Sequence, residues 1–288
     1  MVWHVLSTPK NGETPLLDIV AVHGLNGHYR DTWTDQSTGK LWLADFLPNR
    51  LPRCRVMSYE YNASVESMAA GTIRDVARTM FMELRNKREE PEHEGYKDIP
   101  IIFIAHSLGG IVIKQALVLA EQSPRDFPGM TEHTRGIVFF GTPHRGADAA
   151  NWAAMAGRIG GAVLPRFSFR YLELLKRNSE GLYRVSEDFK HLASRYEIVS
   201  FYEEHAYNRL WGKVIVDKNS AVMSLQHEED MMLSGTHTSM CRFSKDDERF
   251  DAVWRSIRRA SGVVWPPKQD PKAEKQKSGA ITAESVEN

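Results

Sequence analysis

Ser107 stands in FIAHSLGG, residues 103–110, a setting in which a serine can act as a nucleophile. A serine hydroxyl attacks a carbonyl only when a base removes its proton and a tight strand-to-helix corner turns it outward. Small residues two positions either side keep strand and helix from colliding. The usual pattern is G-x-S-x-G, and here those places hold Ala105 and Gly109. One extra methyl is tolerated by that geometry. The competing use of such a serine is as a helix N-cap, but the apolar run before it and the apolar helical pattern directly after it favour the nucleophile.

Chain order then selects the base, which in this arrangement follows serine and acid. Of the eleven histidines, His4, His23, His28, His93 and His106 precede the serine. His133 and His144 come before any acid, His191 falls in a helical pattern, and His205 and His227 lie in polar stretches. His237, in LSGTHTSM, sits in a small-residue loop after the last expected strand and before the closing helix. The acid that orients it should end a late strand. Glu203, directly after EIVSFY, is preferred, and Asp217, after Val214-Ile215-Val216, is the second candidate. Negative charge developing on a carbonyl oxygen needs two fixed donors. The N–H of Leu108 is one, and the N–H of Leu25, in the His23-Gly24-Leu25 loop, is the other. His23 and Gly24 shape that loop.

These residues need a sheet to hold them. Leu16–Val22, Arg55–Tyr61, Ile99–Ala105, Gly136–Gly141, Tyr196–Tyr202 and Val214–Val216 are short runs rich in apolar residues and read as strands. Val65, Met68, Ala69, Ile73, Val76, Ala77, Met80, Phe81 and Leu84 recur at helical spacing, with Ser64 placed to cap them. Near-continuous apolar strands alternating with helices predict an α/β fold with a mostly parallel sheet covered on both faces. Residues 1–265 form one domain, with a helical cap insertion at about 147–194 and a disordered tail over 266–288. Within the cap, Trp152, Met155, Val163, Leu164, Phe167 and Phe169 read first as core. The interleaved Arg158, Arg166 and Arg170 favour a face turned toward a membrane. Thr142-Pro143-His144-Arg145-Gly146 reads as a strand terminator rather than part of an acyl pocket.

The 288 residues carry 37 basic and 37 acidic side chains, so long-range attraction to nucleic acid is not indicated. Two cysteines form neither a disulfide framework nor a zinc cluster, and favour a reduced, cytoplasmic setting. Neither a signal peptide nor a membrane span is read. No metal or nucleotide cofactor is expected, since no G-x-G-x-x-G follows the first strand.

VHGLNGHYRDTW, FIAHSLGGIVIKQAL and GIVFFGTPHRGAD, in that order, resemble the serine esterase/lipase family of the α/β-hydrolase superfamily. That family also occurs as the N-terminal effector domain of fungal NLR-type immune receptors. VIVDKNSAVM and THTSMCRF resemble its later motifs, so the likeness runs from about Asp18 to Phe243. It implies an α/β-hydrolase fold, a Ser-His-acid triad at Ser107 and His237, and an acyl-ester or lipid substrate, with Glu203 and Asp217 both in family-like segments. A thioesterase or transacylase using the same triad, or a signalling module that keeps the fold without catalysis, are the rival expectations.

Overall fold

A computed structural model describes residues 1–64, 70–90, 95–144, 181, 183–205 and 214–265. The greater part of the expected cap, with its aromatic and arginine residues, and the expected tail lie outside them.

Seven strands form one sheet: β1 (Val2–Ser7), β2 (Leu17–Val22), β3 (Cys54–Glu60), β4 (Ile101–His106), β5 (Thr134–Phe140), β6 (Glu197–Glu203) and β7 (Glu229–Leu233). Their spatial order is β1-β3-β2-β4-β5-β6-β7. β1 runs antiparallel to β3 and every other pairing is parallel. Residues alternate between two cores. Val20, Val22, Phe103, Ala105, Ile137 and Phe139 face one side, beneath the helices Ala70–Glu89 and Gly109–Gln122. Ile19, Ala21, Ile102, Ile104, Val138 and Phe140 face the other, against Trp33, Trp42 and the helix Glu248–Ser261. A strand buried on both faces cannot show polar alternation, which is why these runs are apolar along most of their length.

Two strands differ from the sequence expectation by their presence and one by its absence. β1, VWHVLS, and β7, EDMML, are the sheet's two edges and are half-buried or exposed along most of their length. They therefore lack the apolar continuity that marks the central strands. The expected strand at Val214–Val216 does not form. Ile215 and Val216 are buried, but in a bend that leads into the short helix Lys218–Ala221.

The chain enters β2 in the middle, crosses to β3 on one side, and returns over the Ala70–Glu89 helix to β4 on the other. The order reverses between β2 and β4, and a crevice opens at the carboxyl ends of strands where such a reversal occurs. Both the His23-Gly24-Leu25 loop and Ser107 leave the sheet there. At the opposite end of the same strands, Asp18 is wholly buried and takes both guanidinium donors of Arg55, Nε at 2.7 Å and Nη2 at 2.8 Å. Arg88 joins the same carboxylate through Oδ2 and donates its other nitrogen to the carbonyls of Lys97 (2.7 Å) and Ile99 (2.6 Å).

Candidate active site

Ser107 follows β4 directly and has φ of 52°, the left-handed region that a side chain with a Cβ enters only at a cost of about 1–3 kcal/mol. The surroundings enforce it. Its N–H donates to the Phe140 carbonyl (2.8 Å), and its own carbonyl accepts from the Thr142 hydroxyl (3.0 Å) and the Gly110 N–H (3.1 Å). Gly109 allows the turn, since a Cβ there would run into the carbonyl oxygens of Val22 and His23. A Cβ on Gly110 would overlap Thr142. The first small position, Ala105, is fully buried in the core, which accommodates its methyl.

Three side chains from three distant parts of the chain meet at this corner. The Ser107 Oγ lies 3.0 Å from His237 Nε2, and His237 Nδ1 lies 3.3 Å from Glu203 Oε1. A carboxylate oxygen can only accept, so Nδ1 carries the ring hydrogen and Nε2 is left to accept from the serine hydroxyl. Glu203 is the last residue of β6, not the first beyond it, and is itself fixed by the Val216 N–H, which donates to Oε1 at 2.6 Å. All three side chains are buried.

Asp217 is placed elsewhere. Its carboxylate accepts the Ser220 N–H at 3.0 Å and caps the helix Lys218–Ala221. The acid standing beside His237 is Glu203.

His237 reaches the serine on a loop held at several points. The Thr236 N–H donates to Ser239 Oγ (2.9 Å), and the N–H groups of Ser239 and Met240 return to the Thr236 carbonyl at 3.1 and 3.0 Å. Arg249, on the closing helix, donates to the carbonyls of Ser234 (2.5 Å) and Arg242 (3.1 Å), bracketing the loop from both ends. Trp42 Nε1 adds a bond to the Cys241 carbonyl at 2.9 Å. Gly141, at φ of 55°, lets the ring come close: a Cβ there would sit 3.0 Å from His237 Nδ1. Thr142, read from sequence as part of a strand terminator, in fact braces the serine carbonyl with its hydroxyl, and Gly141 offers in sequence no more than a glycine ending an apolar strand.

The loop after β2 closes over the serine. A Cβ on Gly24 would lie 2.7 Å from the Ser107 Cβ. Among the described residues, the N–H groups of Leu25 and Leu108 donate to no other backbone group, whereas the N–H groups of Asn26 and Gly27 are used, by Ala63 (2.8 Å) and Gly24 (3.0 Å). His23 supports the loop from beneath. Its ring stacks on Tyr61 with centroids 4.5 Å apart, its Nδ1–H donates to the Gly24 carbonyl (3.0 Å), and the Tyr61 hydroxyl donates to its carbonyl (2.8 Å). Burial pushes its pKa down to about 4, so it stays neutral. Cys54 and Cys241 are buried, and burial pushes both thiols up to about 12, which keeps them unreactive. Among the described residues no group of three or more His, Cys, Asp or Glu side chains is arranged to hold a metal ion, and no helix is long and apolar enough to cross a membrane.

Residues 16–157 match the family described as "Putative serine esterase (DUF676)". The matched region contains Ser107 and the His23-Gly24-Leu25 loop but ends before Glu203 and His237. Protein SERAC1 of cattle and of human is 25% identical over 205 residues, which is 65% of this chain and 30% of theirs, so the chain spans under a third of these curated relatives. Among solved structures, the mature lipase BlEst2 of Bacillus licheniformis superposes with a TM-score of 0.56 at 17% identity, covering 88% of this chain and 97% of that one. A carboxylesterase structure from Nitrososphaera gargenis gives a TM-score of 0.50 at 12% identity, over 91% and 95%. The likeness to these solved structures shows the fold, that of the α/β-hydrolases, and the matching family model is described as a serine esterase.

Proposed function

We propose that this chain is a serine hydrolase of acyl esters, lipid esters among them, acting through Ser107, His237 and Glu203. The observation that carries the reading is the strained backbone of Ser107 together with its 3.0 Å contact to His237 Nε2. Nε2 takes the hydroxyl proton as Oγ bonds to the ester carbonyl carbon, and the carbonyl π pair moves onto oxygen. The N–H groups of Leu25 and Leu108 stabilise that oxyanion. It collapses, the C–O bond to the alcohol breaks, and His237 returns its proton to the departing alkoxide. Water repeats the sequence on the acyl-enzyme and frees the acid and Ser107. Glu203 holds the ring in the Nδ1–H tautomer and stabilises the imidazolium that forms twice per cycle.

A fluorophosphonate probe tests this. The folded protein is expected to label at one site, and Ser107→Ala is expected not to. A folded wild type that neither labels nor turns over p-nitrophenyl esters would sink the reading. Acyl-chain profiling, with phospholipids and thioesters included, would then define the substrate.

A further inference from the structure

His106 is a buried histidine outside the triad. His106 precedes the nucleophile, and its Nε2 lies 2.8 Å from the backbone carbonyl of His237, 131 residues away. A carbonyl oxygen only accepts, so Nε2 carries the hydrogen and donates. Burial, and His237 beside it, push the His106 pKa down to about 3, which leaves the ring neutral and the donor in place throughout the working pH range. We propose that His106 is a positioning residue that fixes the height of the base against the nucleophile, an inference that rests on the triad proposed above.

The argument is geometric. Consecutive residues of one rigid corner reach the same distant residue twice, His106 at its backbone and Ser107 at its ring (3.0 Å). Those two anchors sit on adjacent residues, and the Ser107 backbone is held by its N–H, which donates to the Phe140 carbonyl, and by the Thr142 hydroxyl, which donates to the Ser107 carbonyl. The base is thus registered directly against the serine, not through the far longer route along β6, β7 and the loop. The ring also packs, edge-on to Trp33 with centroids 6.5 Å apart and 5.0 Å from the His237 ring. Packing alone would ask for volume, not for a donor at Nε2.

Two variants separate donor from volume. His106→Phe keeps the ring and loses the N–H; His106→Gln offers an amide N–H₂ near the same place. With a short-chain p-nitrophenyl ester, His106→Phe is expected to lower kcat about 10- to 100-fold with KM within about twofold, because small misplacement of a catalytic group costs rate rather than binding. His106→Gln is expected to recover most of that loss. Unchanged kcat in His106→Phe, or equal damage in both variants at matched folded fraction, would overturn the proposal. The ring N–H resonances of His106 and His237, observed by NMR, give a readout independent of turnover. In wild type the His106 Nε2–H signal should exchange slowly, and in His106→Phe the His237 signals should move; unmoved His237 signals would also count against it. Should wild type fold without labelling or hydrolysing, the functional reading fails while this resonance test still decides the tether. If His106→Phe does not fold, His106→Asn, whose donor falls near Nδ1, takes its place in the comparison.

Discussion

The two ends of the same strands solve opposite problems. At their amino ends, Asp18 is surrounded by Arg55 and Arg88, and a buried charge is satisfied on every side. At their carboxyl ends, Ser107 is held in a costly conformation and, among the described residues, the N–H groups of Leu25 and Leu108 have no backbone acceptor. Satisfied polar groups stabilise; unsatisfied and strained ones are tolerated only where something else must bind. The sheet therefore keeps stability and chemistry about one strand length apart.

The sharpest way to break that contrast is at Ser107 itself. Ser107→Gly should abolish hydrolysis, a fall of about 10⁶-fold as for loss of a serine nucleophile. The same change should raise stability by about 1 kcal/mol, since glycine adopts a φ of 52° without strain. Activity assays and urea melts on one sample check both halves. Glu203→Gln comes next, with an expected loss of about 10⁴-fold in kcat from the wrong tautomer, against at most a few-fold for Asp217→Asn. Collapse of turnover in the latter alone would overturn the assignment of the acid.

At the other end, Asp18→Asn should cost about 3–5 kcal/mol, because it leaves two buried guanidinium groups with a neutral partner. Specific activity per folded molecule should stay near wild type, as judged by active-site titration. A large fall in that value would mean that the two ends are coupled.

Lys114 offers a smaller test between them. It is fully buried on the Gly109–Gln122 helix; among the described residues its amine has a 3.4 Å contact to the Ser186 hydroxyl and the rings of Phe139 and Phe189 nearby. Burial brings its pKa from 10.5 down to about 7. Between those values the unfolded chain binds more protons than the folded one, so this group makes stability rise as pH goes from about 7 to 10.5, and contributes no slope below. Lys114→Met should remove that rise and stabilise the protein at pH 7 by about 1–4 kcal/mol. Denaturant midpoints of both proteins at pH 6, 8 and 10 check the difference.

What the chain discloses about itself follows the same division. β2, β4 and β5 are legible because burial on two faces makes them apolar along most of their length, and the corner after β4 because Gly109 must approach the end of β2. The edges were not legible, since EDMML is exposed at Asp230, Met231 and Met232 and looks like a charged turn. Val214–Val216 misled for a physical reason: the segment is apolar because it packs inside, yet the Val216 N–H goes to the Glu203 carboxylate and not to a neighbouring strand. That one bond also separates Glu203 from Asp217, and nothing in residue type or spacing announces a backbone donor. Likewise, chain order excludes His106 as a base but gives no hint of the carbonyl it reaches.

The base hangs from β7, the last strand to join and one of the two that pair on a single side. Met231 and Met232 are exposed there, so little apolar burial holds that edge. Weakly buried edges open before cores do. Mild denaturant should therefore loosen the β7 end of the His237 loop while β2, β4 and Ser107 remain folded, and hydrolysis by the proposed triad should decline before the core melts. In use, the protein's lifetime would be set by the fraying of one border strand rather than by the strength of its interior.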